Sequence, residues 1–439
     1  MENAVCNLKS LIVPCSDVSY QSLLSLSRHC PFLEELSFSS CHNNLPSDED
    51  CARLQFPQLK RLSVRRRILL EALLLALTRF GNLEELNLNI AKDLESLKKV
   101  LIRNPNLKRF SLDSYTGQDN SGLQDFVENT LGGLAVLDYA NIPVSGLSWN
   151  PTSSDSLPWP RLRSLSLNAY GHSNSFLTIP SGSGLSFSRL FHSITHLSFY
   201  GVNLDCEIYC PVLVRLRLDD VKFRNPVSGI RVGSAFRSLL ISDSMIDPNR
   251  IYLDGGISTD ISNLNLSIDL FDGLPLSLLW SYLESLPTLE IVDILVYNSK
   301  RQLTPEFQCD SFPSEIGRRF GTALGRLYCL KLVNFVSLDG RYEQEGVLKT
   351  LASQRCTAVE AGKPVPLLQY TFLDPDSPSC HEKFLKLDSD MEKNARMKVK
   401  IPPPDWLPHH PFFKYNFTMT PSTPDNCILV EHEDCFVSL

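Results

Sequence analysis

Residues 81–88, GNLEELNL, and residues 105–112, PNLKRFSL, carry one pattern at two places in the chain. Each has apolar residues at positions p, p+3 and p+5, where p is Leu83 in the first segment and Leu107 in the second. Apolar residues two apart are typical of a short strand that buries one face. The breaker at p−2 ends whatever precedes the strand, because Pro cannot continue a helix and Gly commonly closes one.

The same pattern recurs along most of the chain. Nine of the triplets have Pro or Gly at p−2, whereas 21 Gly and 28 Pro in 439 residues would place fewer than two there by chance. The breaker is therefore part of the repeat. Fourteen triplets begin at residues 8, 33, 59, 83, 107, 134, 162, 194, 213, 236, 261, 289, 327 and 367.

Helical periodicity fills many of the intervals between triplets. Apolar residues at i, i+3 or i+4, and i+7 predict helices over residues 18–29, 68–80, 93–103, 122–131, 277–286, 315–324 and 345–354. A strand and a helix in about 25 residues form the leucine-rich-repeat unit, which buries its apolar edge only against neighbouring units. We therefore predict an α/β leucine-rich-repeat solenoid of about 13–14 irregular repeats, with a curved parallel sheet and helices on its convex side.

Two regions depart from the regular pattern. Helical periodicity fades from about residue 141 to residue 260, where segments rich in Ser, Pro and Gly predict an irregular middle. After residue 373 the triplets stop, and the Pro-rich sequence predicts a tail that is partly docked or disordered. The predicted organisation is a solenoid over residues 1–373 followed by a tail over residues 374–439.

The strand segments CPFLEELSF (30–38) and CPVLVRLRL (210–218) resemble the repeat region of F-box/leucine-rich-repeat proteins, particularly fungal ones, which form ribonuclease-inhibitor-like solenoids. The resemblance covers residues 1 to about 373. It implies that the repeats hold a protein substrate for a cullin–RING ubiquitin ligase, while an F-box before the repeats binds the ligase adaptor. Because the first triplet begins at Leu8, no F-box can be assigned in this chain. The adaptor is an expected partner only if an F-box lies upstream.

Composition argues against several other classes of protein. The formal net charge of −7 gives no general attraction for nucleic acid, and no apolar run is long enough to cross a membrane. The start of the chain lacks a secretory signal pattern, and its 13 cysteines are odd in number and contain no C-x-x-C motif. We expect a cytoplasmic or nuclear protein, or one present in both, that binds neither nucleic acid nor membrane.

No motif in the sequence favours catalysis, cofactor binding or metal binding. The sequence has no nucleotide-binding loop and no nucleophile motif of the hydrolases. The spacing of His192, His196, Cys206 and Cys210 has the residue types of a zinc site, but the repeat register places Cys210 at the core and separates the two histidines. We therefore expect no enzyme, no cofactor and no metal. The remaining alternative to a ligase component is a repeat-only adaptor or inhibitor unrelated to ubiquitination.

The register also indicates where a partner would bind. If p+3 and p+5 point into the core, then p+2, p+4 and p+6 point to the opposite, concave face. Small polar residues and arginines occupy these positions, and arginine can pair with carboxylates or phosphates. We predict that the concave face binds an acidic or phosphorylated protein segment through Arg61, Arg65, Arg109, Arg215, Arg217, His196 and Tyr200.

Overall fold

The computed structural model describes two compact units, residues 1–261 and residues 262–439. Within them the described residues are 7–41, 51–64, 71–115, 123–143, 161–169, 176–177, 193–219, 221–223, 229–242, 251–253, 261–269, 283–297, 314–337, 343–373 and 395–400, with short gaps at 52, 92, 124, 205–206, 284–285 and 287.

The first unit is built on parallel strands. In chain order its described strands are β1 Ser10–Val18, β2 Glu35–Cys41, β3 Arg61–Val64, β4 Glu85–Ala91, β5 Arg109–Tyr115, β6 Tyr139–Pro143, β7 Ser164–Asn168, β8 Phe176–Leu177, β9 His196–Tyr200, β10 Asn203–Leu204, β11 Glu207–Cys210, β12 Arg215–Asp219, β13 Lys222–Phe223, β14 Gly229–Val232, β15 Ser238–Ser242 and β16 Ile251–Leu253. The main sheet has the order β1-β2-β3-β4-β5-β6-β7-β9-β12-β15. All of its described pairings are parallel, including β4 with β5 across residues 83–112.

The strand register follows the sequence pattern closely. Most strands begin at p+2, as at Glu35, Arg61, Glu85 and Arg109, and these residues face each other across the ladder. From β2 to β15 of the main sheet the residues at p, p+3 and p+5 are buried, so each of these strands adds one layer to a continuous core. The fold class is the predicted one, an α/β leucine-rich-repeat solenoid.

Helices in the early repeats cover the other side of this core. They are α1 Tyr20–His29, α2 Glu71–Leu77, α3 Leu94–Arg103 and α4 Phe126–Leu131, the last being a single π-helical turn. Helix α3 begins where the Asp93 carboxylate accepts hydrogen bonds from the backbone N–H groups of Glu95 and Ser96, and it ends at Asn104 before Pro105. The predicted helices lie in the right places and begin or end within a few residues of these bounds.

In the middle of the unit, short strands replace the helices. Strands β11, β14 and β16 form a three-stranded parallel sheet that precedes β12, β15 and the next repeat. A second small sheet has the order β13-β10-β8. The predicted fading of helices is therefore a change to short strands. Cys210, which the repeat register placed at the core, is the buried last residue of strand β11.

At two triplets the predicted register was wrong by three residues. Tyr139 and Leu332 lie at p+2 of their strands, so p is Leu137 rather than Leu134, and Leu330 rather than Leu327. The error arises because p−3 is also a core position: the backbone N–H of residue p donates to the carbonyl of residue p−3, as from Leu137 to Leu134. Where p+2 is also apolar, a triplet that begins at p−3 looks like the true one.

The second unit contains a further parallel ladder. Its described strands are β17 Asn263–Asp269, β18 Ile291–Tyr297, β19 Leu332–Ser337, β20 Leu368–Leu373 and β21 Met397–Lys400, paired in that order. Helices α5 Ser314–Gly325 and α6 Glu343–Glu360 pack together. Gly321 permits this contact, since a Cβ there would lie 2.5 Å from the carbonyl oxygen of Val347. The predicted helix at 277–286 lies mostly outside the described residues.

The last repeat of the second unit ends differently from the pattern. Its buried residues are Val365, Leu368 and Tyr370, whereas the predicted triplet residue Leu367 is 52% exposed. Strand β21, which belongs to the Pro-rich segment after residue 373, adds to the edge of β20. The buried guanidinium of Arg355 on α6 donates to the carbonyl oxygens of Ala395 and Pro366 and so ties this strand to the helix.

Candidate binding surface

We use the name open face for the side of the first unit's main sheet that carries the residues at p+2, p+4 and p+6. Exposure on this face is greatest at the strand beginnings, where Arg61, Arg109 and Arg215 are exposed. Toward the strand ends the side chains are buried, and Asn141, Asn168 and Tyr200 are each at most 3% exposed. The surface available to a partner is therefore the row of residues at p+1 and p+2.

From β1 to β5 this row is a charge zipper, in which the sign alternates from strand to strand. Its members are Lys9, Glu34, Lys60, Glu84 and Lys108 at p+1, and Glu35, Arg61, Glu85 and Arg109 at p+2. The ion pairs Lys60–Glu34 and Lys108–Glu84 are 2.8 Å long, and Arg61–Glu35 is 2.9 Å. The hydrogen bond and charge of Lys60 lower the pKa of Glu34, and a hydrogen bond from Lys108 lowers the pKa of Glu84.

Two of the predicted site arginines belong to this zipper. Arg61 is paired with Glu35, and this hydrogen bond raises the pKa of the guanidinium. Arg109 lies 3.9 Å from Glu85, and its guanidinium carbon is 5.0 Å from the ring centroid of Tyr139. Both arginines lie at p+2, and glutamates on neighbouring strands already compensate their charges. Arg65 lies outside the described residues.

The other predicted site residues cluster on β9 and β12. Arg217 pairs with Asp219 at 3.2 Å and lies over the Tyr200 ring, 4.8 Å from its centroid. Tyr200 is itself buried, so its contribution is to hold Arg217 in place. His196 is beside Arg215 across the ladder, and burial together with the charge of Arg215 lowers its pKa. A role of these residues in binding stays a prediction.

A polar cluster lies on the open face between these two groups, formed by Asp113 with Asn89, Asn141 and Asn168. The Asn141 amide donates to the Asp113 carboxylate at 2.8 Å and to the Ser111 hydroxyl at 3.0 Å. Asn168 donates to the Asn141 side-chain oxygen at 2.9 Å. Burial raises the pKa of Asp113 to about 6 despite these hydrogen bonds. The cluster joins strands β4 to β7 below the exposed row.

Sequence reasoning missed Tyr139 and Asn141, because the shift of three residues hid their strand. The signal that could have found them was the run Leu137, Ala140 and Ile142, which has the correct spacing but a small residue at p+3. Once that register is used, both residues fall on the open face next to Arg109 and Asp113.

Neither a metal site nor a membrane span occurs in the part of the chain that the structure describes. No group of three or more His, Cys, Asp or Glu side chains comes together there as metal ligands. His192 and Cys206 of the zinc pattern lie outside these residues, while Cys210 is buried and its pKa is raised by burial. None of the described helices is both long enough and apolar enough to span a bilayer.

Comparison with known proteins finds similarity only to solved structures. No protein-family model matches the sequence, and no curated protein matches it. Among solved structures, a chain from the crystal structure of the Rad7 and Elc1 complex in yeast is similar at 15% sequence identity and a TM-score of 0.33. The similarity covers 63% of this chain and 79% of that one.

Proposed function

We propose that this protein is a non-enzymatic scaffold that binds another protein along the open face. The observation that carries the proposal is the row of exposed charged and polar side chains at p+1 and p+2 across ten parallel strands. Strands spaced about 4.8 Å apart make this row about 40 Å long. An exposed surface of that length suits contact with a folded protein or an extended segment better than with a small molecule, which needs a concave pocket.

The rigidity of the row supports the same proposal. The residues at p+2 begin the strands, and those at p+1 directly precede them. The ladder therefore sets their backbone positions, as at Arg61 and Arg109, where the next residue is buried in the core. Hydrogen bonds from the polar cluster tie strands β4 to β7 together beneath it. A rigid array loses little conformational entropy when a partner binds.

The narrower form of the proposal concerns the pathway. The family that the sequence resembles uses such repeats to hold the substrates of a cullin–RING ubiquitin ligase, and we propose a substrate-recognition role of this kind. The other candidate is a repeat-only adaptor or inhibitor that covers its partner without ubiquitin chemistry. Both predict binding on the open face and differ in whether a ligase adaptor and a cullin join the complex. We expect the complex in the cytoplasm, the nucleus or both.

Affinity purification from cells after cross-linking tests the proposal. The open-face variant Ser164→Glu/Ser238→Glu places two acidic side chains in the p+2 row, and the control variant Gln21→Glu/Ser353→Glu places them on exposed positions of α1 and α6. We expect the wild type and the control to retain the same protein partner and the open-face variant to lose it. Equal retention by both variants would contradict binding on this face.

The same purification separates the two narrower candidates. Recovery of a cullin and its adaptor with the wild-type chain would support the ligase role. A stoichiometric protein partner without either would favour the adaptor or inhibitor. Absence of any specific partner from wild-type samples would contradict the scaffold proposal as a whole.

A further inference from the structure

The exposed row of the open face changes character at β7. From β1 to β5 acids and bases alternate, but from β7 to β15 positions p+1 and p+2 contain no acid. The residues there are Arg163 and Ser164, Thr195 and His196, Val214 and Arg215, and Arg237 and Ser238. We call this part of the row the basic sector.

Two guanidinium groups in the basic sector form no ion pair in the described part of the chain, although Asp138 at p+1 of β6 is on the strand next to Arg163. Arg163 and Arg215 are exposed, and neither forms an ion pair within the described part of the chain. This contrasts with Arg61 and Arg109, each within 4 Å of a glutamate, and with Arg217, which pairs with Asp219. The guanidinium of Arg237 donates to the carbonyl oxygens of Ser234 and Phe236. The two free positive charges therefore belong to Arg163 and Arg215.

The ladder sets the spacing of these two groups. Ser164 faces His196 across one pairing, and His196 faces Arg215 across the next. Arg163, which directly precedes Ser164, is therefore two strands away from Arg215. Two steps amount to about 10 Å, which is close to one turn of a polyproline II segment, where three residues rise about 9 Å and side chains i and i+3 lie on one face. A guanidinium fork binds a carboxylate with two parallel hydrogen bonds.

Resting on the proposed function, we propose that the basic sector is the part of the open face that captures an acidic protein segment, with one carboxylate on Arg163 and a second on Arg215. His196 lies between them and, because its pKa is lowered by burial and by Arg215, it is neutral at pH 7 and contacts the bound segment without adding charge. The charge zipper contributes little net attraction, since its five bases lie beside four glutamates and its formal charge is only +1.

The charge distribution favours a protein segment over nucleic acid. The chain as a whole has a formal net charge of −7, and in the neighbouring row on β1 to β5 each of the five bases lies within 4 Å of one of four glutamates. Nucleic acid would require an extended basic surface to neutralise regularly spaced phosphates. Two free arginines about 10 Å apart fit a short acidic segment.

Binding of a synthetic peptide tests the proposal. The probe is a fluorescent 15-residue peptide with Glu at every third position and Gly and Ser between, and the reference has Lys in place of Glu. The variants are Arg163→Gln/Arg215→Gln in the basic sector and Arg28→Gln/Arg103→Gln at exposed positions of helices α1 and α3, which remove the same number of charges. Fluorescence anisotropy is measured with the full chain at low and physiological salt.

We expect the basic-sector variant to weaken binding of the Glu peptide at least tenfold and the helix variant to weaken it less than twofold, with no binding of the Lys peptide. Equal weakening by both variants would show a general charge effect and overturn the assignment, as would no weakening by either. Tighter binding of a 20-nucleotide single-stranded DNA through the same arginines would overturn the partner class.

The outcome is separable from failure of the scaffold proposal. If the wild-type chain captures a cellular protein partner and the basic-sector variant captures it equally well, the assignment of binding to the basic sector is wrong, but the scaffold proposal is retained. If the wild type captures no protein partner, the scaffold proposal fails whatever the peptide does.

Discussion

The side-chain amide of Asn141 on β6 donates a 2.8 Å hydrogen bond to the carboxylate of Asp113 on β5. Asn89 and Ser111 also face this carboxylate, which is nevertheless shielded enough from water that its pKa is raised to about 6. An aspartate that is hard to ionise thus lies beneath the exposed row of the open face.

This aspartate predicts a definite pH dependence of stability. Its pKa in the folded state lies above the ordinary value of 3.8, so the folded state binds the proton more tightly than the unfolded state does. The contribution of Asp113 to stability is therefore greatest at low pH and is lost as pH rises through 6. In Asp113→Asn this pH-dependent contribution is absent. The difference in the free energy of unfolding between wild type and variant should therefore change by up to about 2 kcal/mol between pH 4 and pH 7.

Urea denaturation of both proteins from pH 4 to pH 7.5 measures this difference. Glu34 and Glu84 have lowered pKa values and contribute a slope of the opposite sign, so the comparison with the variant isolates Asp113. Identical pH profiles for wild type and variant would show that Asp113 titrates normally.

Truncation of the core leucines at p+3 should greatly lower the stability of the fold. Leu86, Leu165 and Leu216 are almost completely buried in mid-strand, and each Leu→Ala change should cost about 2–5 kcal/mol in the free energy of unfolding. The control is Leu367→Ala, whose side chain is half exposed and whose loss should stay within about 0.5 kcal/mol. Denaturant melts that rank Leu367→Ala with the other three would show that the register is wrong.

Asn104 joins two repeats through buried hydrogen bonds. Its side-chain oxygen accepts from the backbone N–H of Leu83 at 2.9 Å, and its amide donates to the carbonyl oxygens of Val100 and Thr78 at 2.8 Å and 3.3 Å. Asn104→Ala leaves the buried N–H of Leu83 without its acceptor, while the carbonyls of Val100 and Thr78 keep backbone donors, and it should cost about 1–3 kcal/mol. Asn106→Ala, two residues away and exposed, is the matched control, and equal denaturation midpoints for the two variants would refute this role.

Arg355 predicts coupling between helix α6 and strand β21. Its guanidinium donates to the carbonyl oxygens of Ala395 and Pro366, and burial lowers its pKa to about 10. In Arg355→Met the volume is largely kept but both donors are lost, so amide protection across Met397–Lys400 should fall about tenfold or more. Hydrogen exchange measures this, with Ser353→Ala on the same helix as control. Unchanged protection in Arg355→Met would show that the strand docks through its pairing with β20 alone.

The sequence by itself determined the parallel ladder. Apolar residues at p, p+3 and p+5 after a breaker leave each strand with one apolar side, and only stacking neighbouring repeats side by side buries all of them. That requirement does not depend on the identity of the facing residues, so the ladder, most strand starts and the positions of Arg61, Arg109, Arg215 and Arg217 on one face could be predicted.

Only the tertiary structure decided the rest. The register at Tyr139 and Leu332 was ambiguous, because p−3 is a core position too and an apolar p+2 residue completes a false triplet. The sequence also did not show which arginines lack an ion pair. A charge on one strand is compensated by the residue opposite it on the neighbouring strand, which lies some 25 residues away in sequence. Glu35 and Glu85 face Arg61 and Arg109, whereas Ser238 and His196 face Arg215. Pairing across the ladder therefore distinguishes Arg215 from Arg61 and Arg109, although the repeat pattern treats all three as equivalent.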